Sequence, residues 1–151
     1  MADEIARENP SNTPLNYYWL PAIRAAVELN LNHPQQAVEL LQMTTSYELG
    51  SPPSRPQATM YPAFVRGEAY LRLKDGAKAA REFQKLIDHP GCVLNYPLGA
   101  LAHLGLARAH TLSGETEKAR SAYRDFFKLW KDADPDIPIL RQAKAEYVKL
   151  D

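Results

Sequence analysis

A chain of 151 residues, 45% hydrophobic and 24% charged, has the length of one domain and enough apolar side chains for a sizeable core, which excludes disordered and collagenous polymers. Eighteen basic residues balance eighteen acidic ones, so no net field draws the chain to nucleic acid or to an anionic membrane. The single cysteine, Cys92, leaves no internal disulfide and no cysteine cluster for zinc, and no twenty-residue apolar run is present to span a bilayer. Asp3, Glu4 and Glu8 stand where a signal peptide needs a basic and then an apolar stretch, so a cytoplasmic address is expected.

In chain order, residues 1–13 read as a frayed tail. Residues 15–46 read as a first helical hairpin, with Ala25 in its first helix, a break at Asn32 to Pro34, and Ala37 and Leu41 in its second. Pro21 allows two starts: a helix beginning near Leu20 with the proline in its first turn, or a longer one from Pro14 that is kinked. Residues 47–59 hold three prolines and a glycine and read as a surface loop.

A second hairpin is expected over 60–89, with Gly67 and Tyr70 in the first helix, a turn at Asp75 and Gly76, then Ala79 and Phe83. Residues 90–97, PGCVLNYP, read as a connector whose Val93 and Leu94 tuck against the helices. A third hairpin over 98–131 repeats the pattern with Ala107 and His110, a turn at Ser113 and Gly114, then Ala119 and Tyr123. Over 137–150, Leu140, Ala143, Tyr147 and Leu150 form one stripe, with Arg141, Lys144, Glu146 and Lys149 outside it. This is a capping helix with Asp136 before its start, the seventh helix of an all-α chain.

The three units repeat. Ala37 and Ala79 are 42 residues apart, Ala79 and Ala119 are 40, so the period is about forty. Small residues at Ala69, Ala79, Ala80, Ala107, Ala109 and Ala119 let paired helices approach, while Tyr70, Phe83 and Tyr123 fill the layer between units. A lone hairpin cannot bury its apolar face, but stacked neighbours can.

Gly67, Tyr70, Ala79, Phe83 and Pro90, echoed by Ala107, His110, Gly114, Ala119 and Tyr123, resemble the tetratricopeptide repeat across residues 17–150, at a longer period than that family's thirty-four. The resemblance implies an α-α superhelix. From Tyr61 to the closing LWKDADPDIPILRQAKAEYVKL, the wording is also similar to the C-terminal repeat regions of large bacterial signalling proteins, in which such repeats follow a serine/threonine kinase domain or a winged-helix DNA-binding domain.

No kinase glycine loop, phosphate loop, G-x-S-x-G or HExxH motif occurs in the chain, so no enzyme activity and no cofactor are expected. His103 and His110 lie about 10 Å apart along a helix axis, too far to share one ion. His33 and His89 each precede a proline in a turn. Asp132, Asp134 and Asp136 alternate like the start of a calcium loop, but its sixth and twelfth positions are Ile137 and Ala143 rather than glycine and glutamate, so no metal is expected.

If the hairpins stack as in the resembled family, their first helices line a concave face. The residues placed there are Trp19, Ala22, Ala26 and Leu29; Tyr61, Phe64, Glu68 and Leu71; and Leu101, Leu104, Arg108 and Thr111. An apolar stripe with isolated central charges suits an extended or helical peptide. The expected function is a non-catalytic scaffold binding a protein or peptide partner, or another domain of a parent protein. A regulatory repeat region of a larger signalling protein and a homo-oligomerisation unit are the alternatives. Arg108 alone does not make the clamp that some family members use to hold a terminal carboxylate.

Overall fold

The computed structural model describes residues 2–50, 60–94 and 96–150, and among these the regular structure is helical, with no β-strand. The α-helices are α1 (Ala2–Glu8), α2 (Leu20–Asn30), α3 (Pro34–Leu41), α4 (Tyr61–Arg72), α5 (Gly76–Asp88), α6 (Pro90–Val93), α7 (Leu98–Leu112), α8 (Thr116–Leu129) and α9 (Pro138–Val148). A π-helical turn, Leu15–Trp19, leads into α2, and a 3₁₀ segment, Gln42–Tyr47, follows α3. Two of these helices depart from the seven expected: α1 forms within the stretch read as a tail, and α6 within the connector. Three pairs, α2 with α3, α4 with α5 and α7 with α8, pack as hairpins, and α5 packs on α7 to join the last two.

Pro21 combines both expected starts. The helical path runs from Leu15, and Leu20 donates its N–H five residues back to the Leu15 carbonyl. Pro21 has no N–H to continue a normal ladder, and the wider π turn before it accommodates the ring.

The three hairpin turns share one backbone design. Asn32, Lys74 and Gly114 adopt left-handed φ values of 63°, 60° and 72°. The next residue in each turn, His33, Asp75 or Glu115, donates its N–H to the carbonyl five residues back, Glu28, Tyr70 or His110, at 2.8, 2.9 and 2.9 Å. These are Schellman-type endings, which satisfy helix carbonyls that would otherwise lack donors. In the second turn, Asp75 then caps α5 by accepting from the Lys78 N–H. In the third, Ser113 ends α7 instead, and Glu115 precedes α8 without a side-chain cap. The same turns hold two reciprocal side-chain pairs, Glu28 with His33 at 2.8 Å and His110 with Glu115 at 2.6 Å.

The main core centres on Phe83, Tyr123 and Phe126, all buried. Phe83 enters between α4 and α7 because both carry glycine there: a Cβ at Gly67 would lie 2.8 Å from the ring, and at Gly105 2.5 Å. Burying such a ring contributes on the order of 2–3 kcal/mol. Tyr147 of α9 sits edge-on to Tyr123 and Phe127, and Arg120 donates to the Leu150 carbonyl at 2.7 Å, so α9 covers the end of the third hairpin. A second core of smaller side chains, with Ala25, Leu29, Ala37, Val38 and Leu41, joins α2 and α3 to Val65 and Ala69 of α4.

Charge supplements this N-terminal junction. Glu48, expected in a surface loop, is fully buried. Its carboxylate pairs with Arg66 at 2.9 Å and with Lys85, and accepts from the Thr44 hydroxyl. Arg66 also pairs with Glu82 at 2.6 Å and donates to the Leu41 carbonyl at 3.1 Å. The remainder of that expected loop, from position 51 to 59, lies outside the described residues. Beside Glu48 the buried Tyr18 phenol is held in its neutral form, by burial first and then by the Glu48 charge.

Candidate functional site: the α2–α4–α7–α9 face and the α6 groove

Two surfaces combine exposed apolar groups with charge. The first is built by the opening helix of each hairpin and by α9. At its centre Glu68 of α4, Arg108 of α7 and Glu146 of α9 are placed 40 and 38 residues apart, close to the repeat period, and alternate in sign. Arg108 makes a two-pronged ion pair with Glu146, at 2.9 and 3.1 Å. Glu146 further accepts from the Tyr123 hydroxyl at 2.9 Å and from the Gln142 amide at 2.8 Å. Burial alone would raise the Glu146 pKa, but these bonds, that from Arg108 first, outweigh it and hold the carboxyl below its ordinary range.

Glu68 behaves in the opposite way. Burial raises its pKa, the Glu146 charge adds to the rise, and Arg108 and Arg72 offset only part of it. Arg72 is itself committed, since it donates to the Leu29 carbonyl at the end of α2. Glu68 is therefore a carboxylate whose environment favours any further cation brought to it.

The other residues expected on this face divide into surface and core. Tyr61 is exposed at the start of α4, and Thr111 is exposed with its hydroxyl donating to the Ala107 carbonyl of its own helix. Trp19 is half-buried, edge-on to Tyr18 at 4.9 Å between ring centres. Leu71 and Leu101 are half-buried against the main core. Phe64 meets Phe83 edge to face at 5.7 Å, so its ring belongs to the packing between helices. Leu104 is 1% exposed and presents nothing to a partner, which corrects its placement on the face. Ala22 and Leu29 are buried as well. Glu146, expected on the outer side of α9, faces the stack; its distance from Arg108, close to one period, was the signal for it.

The second surface is a groove of about 730 Å³ between the end of α5, α6, the first turns of α7 and the end of α8. Ile87, Val93, Ala100, Trp130 and Ile137 line it. Leu94, Tyr96 and Leu129 line it too and are exposed, so Leu94, unlike Val93, does not tuck into the stack as expected. Leu94 has φ 56° and ψ −153°, a conformation ordinarily reserved for glycine, and its N–H donates to the Pro90 carbonyl at 2.8 Å. Its polar lining includes His103, whose pKa burial lowers against the opposing charge of Asp125, and Asp132. The groove was not legible beforehand, because its walls come from two connectors and three helices.

Outside these surfaces, Ile23, Val27 and Leu31 form an exposed apolar stripe at four-residue spacing along α2 and its end. Among the described residues, no group of three or more histidine, cysteine, aspartate or glutamate side chains is placed to hold a metal ion, and no helix is long and apolar enough to cross a membrane. Comparison of the chain with protein-family models, curated proteins and solved structures returns no match.

Proposed function

We propose that the chain is a non-catalytic interaction module of tetratricopeptide-repeat type, which holds a peptide or protein segment on the concave face of a short α-α superhelix formed by α2, α4, α7 and α9. The observation that carries this reading is the aligned series Glu68, Arg108 and Glu146. The second hairpin, the third hairpin and the capping helix α9 each carry a charged side chain at this spacing, and Arg108 joins α7 to α9 through Glu146. Tyr61 offers an exposed aromatic anchor at one end of that surface, and Glu68 offers a carboxylate receptive to a donor.

The test changes the exposed Tyr61 ring and reverses the charge of the half-buried Glu68. Wild type and the Tyr61→Ala, Glu68→Arg double variant are used as bait in a lysate of the source organism, after circular dichroism establishes equal helicity. A partner captured by wild type and lost from the variant is the expected result. Equal capture by both removes the face from consideration.

The stripe of Ile23, Val27 and Leu31 favours a second reading, self-association through α2. Light scattering over a concentration series detects it as a rise in mass, and a constant monomer mass excludes it.

A further inference from the structure

The α6 groove stands apart from the face just assigned, and its chemistry selects a different occupant. Its volume, about 730 Å³, falls within the range of ligand sites, and its walls are mainly apolar. Tyr96 is 50% exposed and Leu129 58%, and both remain open to an incoming surface. An occupant must therefore bring apolar side chains of its own.

Its charge is one-sided. Among the described residues, the groove lining includes the Asp132 carboxylate and no lysine or arginine. The Asp132 side chain is 87% exposed, and its ion-pair partner Lys131 lies at 3.9 Å, the long limit for such a pair. Asp134 and Asp136 follow two and four residues on, with Asp134 accepting from the Asp136 N–H at 2.9 Å. Burial favours the neutral form of His103, so at neutral pH it adds no positive charge. A phosphate, an acidic peptide or an anionic lipid headgroup would meet the Asp132 carboxylate, with no cation among the described lining residues to receive it.

We infer that the groove docks a short peptide segment of another protein that carries two or more large apolar side chains and a lysine or arginine, the apolar groups packing on Trp130, Tyr96 and Leu129 and the cation pairing with Asp132. This site is independent of the α2–α4–α7–α9 face.

The experiment presents the full chain with a displayed library of random twelve-residue peptides, then measures one recovered peptide by fluorescence anisotropy. Recovered sequences are expected to combine large apolar residues with lysine or arginine. Asp132→Lys and the Tyr96→Ala, Leu129→Ala double variant should each weaken binding on the order of tenfold or more, while Tyr61→Ala leaves it unchanged. All three alter exposed side chains, and circular dichroism checks that the helices persist. A library that yields no binder overturns the inference, as do binders without cationic bias or with undiminished affinity for Asp132→Lys. Binders sensitive to Tyr61→Ala and indifferent to Asp132→Lys assign peptide recognition to the other face, which also overturns it. Capture of phosphatidylserine vesicles in place of any peptide does the same.

Discussion

The ring of Phe83 has no spare room on either side. A methyl group added at Gly105 would come within 2.5 Å of it, well inside any van der Waals contact, so either the ring leaves its seat or α7 moves away from α5. Gly105→Ala is expected to lower stability by about 1–3 kcal/mol, the usual cost of overpacking. Urea unfolding followed by circular dichroism measures this, and adding Phe83→Leu to the same chain should recover part of the loss. An unchanged midpoint for Gly105→Ala would mean that the ring is not seated between the helices. The repeat pattern made Phe83 and Gly67 legible, but not Gly105, whose role comes from a ring in the preceding unit. The same distinction explains the candidate face. Glu68 and Arg108 remain half-buried polar groups, Arg108 paired with Glu146. Leu104 falls in the core and Phe64 packs half-buried against it because a helix inside a stack packs against neighbours on more than one side, and a single 3.6-residue period does not say which stripe stays open.

The recurring turn separates backbone requirement from side-chain identity. Asparagine, lysine and glycine fill its left-handed position in the three hairpins, although only glycine does so without steric cost. Lys74 is exposed, and its conformation carries a penalty of about 1 kcal/mol. Lys74→Gly is therefore expected to stabilise the chain by up to about 1 kcal/mol, read as a higher denaturant midpoint with an unchanged slope. A lower midpoint would show that the greater freedom of glycine in the unfolded chain outweighs the relief. The hairpins were legible because their breaks and apolar periods coincide. Helix α1 was not, since ADEIARE offers few apolar residues to set a stripe. Nor was α6, four residues that begin with a proline inside a stretch rich in turn formers.

Across the molecule, helical character and hairpin order follow from a forty-residue period that no strand pattern interrupts. How firmly the units are joined does not, because the period says nothing about contacts made by residues that fall outside it. Glu48 is the clearest case: read as part of a polar, proline-rich loop, it is buried against Arg66 and Lys85. The second and third hairpins share large aromatic rings, whereas the first joins them through small aliphatic side chains and this ionic cluster. Charges in such a cluster roughly offset their own desolvation, so the N-terminal junction has the smaller net stabilisation.

That difference has a kinetic expression. Backbone amides of α2 and α3 should exchange with solvent through a local opening of lower free energy than the opening that releases α5 and α7, and hydrogen exchange under native conditions separates the two. Uniform protection across all four helices would show one cooperative unit instead. If the chain opens in two steps, a protease meets the first hairpin long before the molecule as a whole unfolds. Its lifetime in a cell would then follow the population of that half-open form rather than its melting temperature.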